Sequence, residues 1–276
     1  MTENKSPKTI ILQSEPGAGK SMMACLTAVH KPVHVVDIDR KVQSAGWAQA
    51  ALASGQLTYW ELNEPIDEEN LKSRMTQLVK NEKPSKMPLG VTKFAEYMYE
   101  LPKTEQGKAA GTWVIDSTTL LNEHVKSHIQ YIAGHSKFVF DNWTALKAWW
   151  MSSTSFLRDQ AKENGKDLIF TVHERVGETP GDKTSGVKYE TDLKGNRTRV
   201  MQGTQDIKIW ASIDGSFGSL FPAHVDEYYW LHVETDGDKV EWKCRVWPDG
   251  LRALRTSFKV DKAEHEPDFG KIWKGR

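Results

Sequence analysis

Short apolar runs alternate with amphipathic stretches over the first two-thirds of the chain. The runs are Thr9-Ile10-Ile11-Leu12 (a strand over about 8–13), Val33 to Val36 ending in Asp37-Ile38-Asp39, and Leu57 to Leu62. Two more follow, Thr112 to Ile115 ending in Asp116, and Asp167 to Val172 ending in His173-Glu174-Arg175. Runs this short, bounded by polar residues, predict strands buried on both faces of a parallel sheet. The segments between them read as helices over about 20–30, 45–54 (stopped by Gly55), 67–80, 94–101, 120–132 and 142–164. In the last of these, Trp143, Leu146, Trp149 or Trp150, Phe156 and Leu157 make the apolar face. After Pro222 the pattern changes. Val225–Glu234, Val240–Trp247 and Leu254–Val260 read as strands, with Asp236-Gly237 and Asp249-Gly250 as hairpin turns.

This pattern predicts an α/β fold: a mostly parallel sheet flanked by helices, with antiparallel strands added near the C-terminus. One domain is expected, with a core over 8–222, a β extension over 223–260 and a charged tail over 261–276. Two segments are less regular. Gln205–Leu220 is expected to be partly helical. Val176–Gly203 has no sustained apolar period and is rich in Gly, Lys, Arg, Thr and Asp. It reads as a solvated hairpin or loop, or as a ligand-binding loop.

Composition narrows the class. The formal net charge is zero, so nucleic-acid binding would need a local basic patch. The two cysteines, Cys25 and Cys244, are far apart and form neither a metal motif nor a disulfide framework. A reducing cytoplasm is the simple expectation, that of the host if the chain is phage-encoded. Met1–Lys8 is polar and lacks the apolar stretch of a secretory signal, and no run approaches a membrane span.

The sharpest chemical signal is Ser14-Glu15-Pro16-Gly17-Ala18-Gly19-Lys20-Ser21, followed by Met22, between the first strand and the first helix. It matches the phosphate-binding P-loop pattern at every defined position except the first, where Ser14 stands for glycine. Gly17 and Gly19 allow backbone N–H groups to curl around phosphate oxygens, and the helix that follows points its positive end at the same anion. Residues Glu15 to Met22 are the expected nucleotide contacts. Lys20 would reach the β- and γ-phosphates, and Ser21 would offer its hydroxyl to Mg²⁺. If the first position needs a positive φ, Ser14 would be strained. Asp116 closes an apolar strand, expected beside the P-loop strand, and is the candidate second Mg²⁺ group.

The ordered set of P-loop, Val36-Asp37-Ile38-Asp39, Val114-Ile115-Asp116-Ser117 and Phe170-Thr171-Val172-His173-Glu174 resembles the phage-type AAA ATPases related to RecA-like recombinases. The Sak-type single-strand-annealing group is among them. The resemblance covers about residues 8–260 and implies a RecA-like P-loop NTPase core using ATP and Mg²⁺. It places Asp39 where an acid acts on the attacking water; the competing assignment is a surface acid paired with Arg40 or Lys41. It places His173 where a polar sensor meets the γ-phosphate. Two DNA loops are implied at Gly134–Asp141 and Arg175–Gly203. There Lys137, Lys183, Lys188, Lys194, Arg197 and Arg199 could neutralise phosphates, and Phe138, Phe140 or Tyr189 could stack on bases. A neighbouring subunit would supply an Arg, with Arg245, Arg252 and Arg255 as candidates.

The expected function is a Mg²⁺-dependent ATPase that binds single-stranded DNA in phage recombination or annealing. It would act as a homo-oligomer, with a single-strand-binding protein as a candidate partner and no membrane involvement. The rivals are a nucleotide-dependent switch gripping a protein partner, and a small-molecule kinase, for which no Arg-rich lid is visible.

Overall fold

The computed structural model describes residues 6–62, 72, 87–178, 188–191, 197–200, 207–214, 216–236, 239–249, 251–258 and 260–273. Strand β1, Thr9–Ser14, is buried along its whole length, as its apolar run requires. It is hydrogen-bonded in parallel to β5, Asp167–Glu178, on one side and to β9, Glu227–Asp236, on the other. Beyond β5 lie β4 (Thr112–Asp116), β2 (Val33–Asp37) and β3 (Leu57–Glu61), all parallel. Beyond β9 come the antiparallel β10 (Lys239–Arg245) and the two-residue β11 (Glu264–His265). The order is therefore β11-β10-β9-β1-β5-β4-β2-β3, with β8 (Ile207–Ala211) antiparallel to the far half of β5. The expected mostly parallel sheet with antiparallel additions near the C-terminus is the observed one. One expectation fails: β4 is not beside β1, because β5 lies between them.

Helices cover both faces. On one side α1 (Lys20–Leu26) packs with Ile10, Leu12, Val35 and Leu231. On the other, α3 (Gly90–Glu100), α5 (Thr118–Ala133) and α6 (Phe140–Glu163) cover Ile11, Ile115, Phe170 and Val172. Two short helices, α2 (Gln49–Ala53) and α4 (Glu105–Ala109), complete the layers in the first half. α6 buries Leu146, Trp150 and Leu157 as expected, but Phe156 is 46% exposed and points away from that stripe.

Several boundaries differ from the sequence pattern. α1 ends at Leu26 rather than near His30. There the Thr27 hydroxyl donates back to the Met23 carbonyl, and the Lys31 ammonium takes the Cys25 and Leu26 carbonyls. These bonds satisfy the orphan acceptors that end a helix. Gln205–Leu220 carries strand β8 before the single turn α7, Phe217–Leu220. Among the described residues, the Leu254–Val260 stretch has only an isolated bridge, Arg255 to Tyr228. The supposed charged tail instead carries α8, Phe269–Ile272, whose Phe269 and Ile272 are buried with Trp273 against the α1 side. That spacing of one, four and five is a helical face the charge had hidden. Within 176–203, β6 (Lys188–Thr191) and β7 (Arg197–Val200) pair as a hairpin. The expected helix over 67–80 lies outside the described residues, apart from residue 72, which is helical.

The feature that positions the site is a difference in strand length. β1 stops at Ser14, whose neighbour in register is His173, but β5 continues to Glu178. On the other side Gln13 pairs with Trp230, while β9 continues to Asp236 and turns back as β10. The turn after Ser14 therefore lies in a trough between two overhanging arms.

The core makes one expectation measurable. Trp150 is 1% exposed, stacks near Phe217 and donates its indole N–H to Asn122 at 3.0 Å. Trp150→Ala should lower unfolding stability by roughly 3–5 kcal/mol, read as a shifted urea midpoint at unchanged slope.

Candidate active site

The turn 15–19 is shaped by its glycines. Gly17 and Gly19 have φ of 83° and 87°, in the left-handed region. Ser14 is not in that region; Arg40 is the one described non-glycine residue that is. The first P-loop position is thus the last residue of a strand, where serine fits without strain. Its hydroxyl has a use here, because it accepts a hydrogen bond from Lys20 Nζ at 2.7 Å.

Lys20 is 6% exposed. Its ammonium also donates to the Glu15 carbonyl at 3.0 Å and lies 3.2 Å from His173 Nδ1. Burial pulls its pKa down to about 8, against the raising effect of Asp116, Asp39 and Glu174. His173 is pushed down by burial and then by Lys20. A neutral imidazole with the proton on Nε2 is the form that accepts from Lys20. The His173 backbone N–H is fixed by the Thr119 hydroxyl at 2.9 Å.

Asp116 is 3% exposed and accepts from the Thr171 hydroxyl, and the nearby Ser21 hydroxyl favours its charged form. Burial nevertheless raises its pKa. α1 crosses the sheet face so that Ser21 reaches Asp116 although a strand separates β1 from β4. Asp39 stands next to this pair. Its backbone N–H and that of Ile38 donate to the Asp116 carbonyl, and Ser117 Oγ donates to Asp39 Oδ1 at 2.9 Å. Asp39 Oδ2 is held by Lys41 at 3.0 Å. The pairing with Lys41 and the proximity to the Lys20–Asp116 centre are therefore both real.

Asp37 organises the turn that carries Asp39. It accepts from the Val42 backbone N–H at 2.7 Å, and the Arg40 and Lys41 N–H groups nearby favour its charge, in a turn that includes Arg40 at φ 57°. Its Oδ1 is buried without a partner among the described residues. Burial lifts its pKa to about 6.

Of the remaining expected residues, Glu15, Pro16, Gly17 and Met22 are exposed around the turn, while Ala18 is buried. Lys137 is exposed and Phe140 is 82% exposed. Phe138 is not free to stack on a base, being packed edge-on against Trp143 at 4.5 Å and on the core. α6 ends beside the starts of β4 and β5, where Lys166 N–H bonds the Ala161 carbonyl and Asp167 N–H that of Gly111. Its 24 residues span about 36 Å, roughly twice the length of the five-residue β4. Its first turn, with Phe140, thus lies toward the P-loop end of the sheet, level with the β5 arm rather than with the short β4. Lys188, Arg197 and Arg199 lie in β6 and β7, with Tyr189 opposite Arg199 in register; Lys183 and Lys194 lie outside the described residues. Arg252 is no exposed finger. It is buried over the Trp230 ring and paired with Asp249 and Glu174. Arg245 is paired with Glu264, and Arg255 donates to the Pro222 carbonyl.

Sequence reasoning missed three participants: Ser14 and Thr171, as partners of Lys20 and Asp116, and Trp242, whose indole lies against Gly19. Thr171 could have been found from the register, two residues before the His173 that the motif order picks out.

No protein-family model matches the chain, and no curated protein does. Among solved structures it is similar to the flagellar accessory protein FlaH from Methanocaldococcus jannaschii. The identity is 13% and the TM-score 0.39, over 91% of this chain and 83% of that one. It is also similar to the KaiC-like protein PH0186 from Pyrococcus horikoshii OT3, at 14% identity and a TM-score of 0.39, over 92% and 83% of the two chains. These likenesses are remote, and the strand order and contacts above stand without them. Among the described residues no helix is long and apolar enough to cross a membrane.

The Asp37 environment predicts a pH effect on stability. Its folded pKa, about 6, lies above the ordinary 3.8, so folding is penalised by its charge. The penalty is absent below about pH 4, grows through the window and is complete above about pH 6. Without nucleotide or Mg²⁺, the stability of the wild type relative to Asp37→Asn should fall by up to about 2 kcal/mol between pH 4 and 7, measured by urea denaturation at each pH.

Proposed function

We propose that this protein is a Mg²⁺-dependent P-loop ATPase with a RecA-like core. We further propose that it acts as a homo-oligomer on single-stranded DNA in phage homologous recombination or single-strand annealing. The observation that carries the ATPase reading is the buried Lys20 ammonium on Ser14, Glu15 and His173, with the Ser21 hydroxyl and the Asp116 carboxyl close enough beside it to interact. Residues more than ninety positions apart meet where one hydroxyl and one carboxylate can share a divalent cation, at the foot of a glycine turn with left-handed φ angles. Hard oxygen donors of this kind suit Mg²⁺. Bound Mg²⁺ would neutralise phosphate charge during transfer.

The chain's own groups divide the remaining work. Backbone N–H groups of the turn and Lys20 would hold the phosphates, and Lys20 would exchange the Ser14, Glu15 and His173 acceptors for phosphate oxygens. Asp39 would accept a proton from water as the water oxygen bonds to the terminal phosphorus and the bridging P–O bond breaks. For that, Lys41 must release Asp39 Oδ2. His173, losing the Lys20 contact, would register the change at the root of the β5 arm. Beyond it, Glu174 pairs with Arg252 and Arg175 with Asp214, so the arm is tied to its surroundings on both faces. Ordering of the arm by nucleotide would couple the site to DNA. Support for DNA comes from the position of the β5 arm and the start of α6 at the same end of the sheet as the P-loop. It also comes from Lys188, Arg197 and Arg199 on the β6–β7 hairpin.

A specific observation favours a second reading, a nucleotide-dependent switch gripping a protein partner. Ile132, Val139 and Phe140 are exposed apolar residues at one end of α5 and the start of α6, at 66%, 41% and 82% exposure.

ATP turnover measured with and without single-stranded DNA separates the two, together with a salt titration of DNA binding. The ATPase–DNA reading expects DNA-stimulated turnover and ATP-dependent binding that weakens steeply with salt. Replacing Lys194, Arg197 and Arg199 together by Ala should weaken DNA binding and leave ATP affinity intact. Absence of DNA binding at low salt, with ATP turnover retained, would favour the protein-partner reading.

A further inference from the structure

A nucleotide held only by its phosphates leaves its base in water, and the structure places an unused aromatic surface at the right spot. Trp242 lies on β10, opposite Val233 in register, on the part of the β9–β10 arm that overhangs the end of β1. Alternation puts Cys244 on the same face, and Cys244 is buried in the cluster that includes α1. Trp242 therefore faces the α1 side of the sheet, beyond the point where α1 can cover it. It stays 46% exposed. A Cβ built on Gly19 would be 3.7 Å from Trp242 Cδ1, 4.0 Å from its Nε1 and 3.8 Å from Met22 Cε. The indole is thus one atomic layer from the glycine that opens the phosphate-binding helix. It also borders an open groove of about 520 Å³, lined further by Glu241, Lys243, Lys262, Glu264, His265 and Glu266.

We propose that Trp242 is the stacking platform for the nucleobase of the bound nucleoside triphosphate, with the base entering this groove and Met22 closing the edge nearest the phosphates. This rests on the P-loop reading above and extends it to the other end of the ligand. A large exposed indole costs solvation unless something covers it. The only covering ligand tethered to Gly19 is one whose phosphates sit on that residue. Methionine, unbranched and polarisable, suits an adjustable contact with a ring edge. Stacking of this kind is tolerant of base identity, because every base offers a π-face.

Equilibrium binding of ATP and of inorganic tripolyphosphate, both with Mg²⁺, tests this on the full chain. The proteins are wild type, Trp242→Ala, Trp242→Phe and Lys20→Ala. The expected result is that Trp242→Ala weakens ATP roughly ten- to a hundredfold, the range typical of base stacking on an aromatic ring, and leaves tripolyphosphate unchanged. Trp242→Phe should keep most of the ATP affinity, which also guards against a folding defect in the alanine variant. Lys20→Ala should weaken both ligands. Equal loss of ATP and tripolyphosphate in Trp242→Ala would overturn the proposal and make Trp242 a support of the turn. Unchanged ATP affinity would overturn it too, and a changed oligomeric state in that variant would assign the indole to a subunit contact instead. Failure of the wild type to bind either ligand would remove the P-loop reading and this proposal together.

Discussion

A buried ammonium needs acceptors at all times, and the Lys20 ammonium has found three kinds of them. A strand-terminal hydroxyl, a turn carbonyl and a neutral imidazole surround it. None of these is a carboxylate in direct contact, although Asp116, Asp39 and Glu174 all act on it through space. The charge is accordingly under-compensated, which is why burial wins and its pKa falls. Under the proposed P-loop function, a bound polyanion would supply the compensation that the protein withholds.

The rest of the architecture keeps that arrangement in place. Parallel pairing of β1 with β5 puts Ser14 level with His173, so two of the lysine's partners come from neighbouring strand ends. Pairing of β2 with β4 puts Asp37 level with Asp116, and the turn braced by Asp37 brings Asp39 against Ser117. The strands that carry no phosphate chemistry matter through their length. β5 and β9 run past β1 and wall the trough, one leading to the basic hairpin and the other to Trp242.

Much of this was legible in the chain. Apolar runs ending in acids or histidine mark strand tips, and at those tips Lys20, Asp39, Asp116 and His173 converge. Strand order was not legible. Nothing local says that β5 inserts between β1 and β4, because the choice of neighbours is made by long-range pairing. The Ser14 hydroxyl and the Trp242 indole were missed for the same reason. Serine stands where the pattern has glycine, and a tryptophan within an alternating strand carries no mark of what lies across from it. α8 was hidden because its three apolar residues sit among charges, and their burial depends on a surface of α1 more than two hundred residues away. The packing of Phe138 was not legible either, because an aromatic in a loop can be held by the helix that follows it, here through Trp143.

The central claim is that Lys20 is a partly compensated cation awaiting phosphate oxygens. Its ammonium titration, followed by nitrogen-detected NMR of the lysine side chain with and without saturating ATP and Mg²⁺, reads that property at the atom concerned. The expected midpoint is near pH 8 in the free protein and moves upward when ATP is bound. A midpoint at the ordinary lysine value of about 10.4, unmoved by ATP, would contradict it.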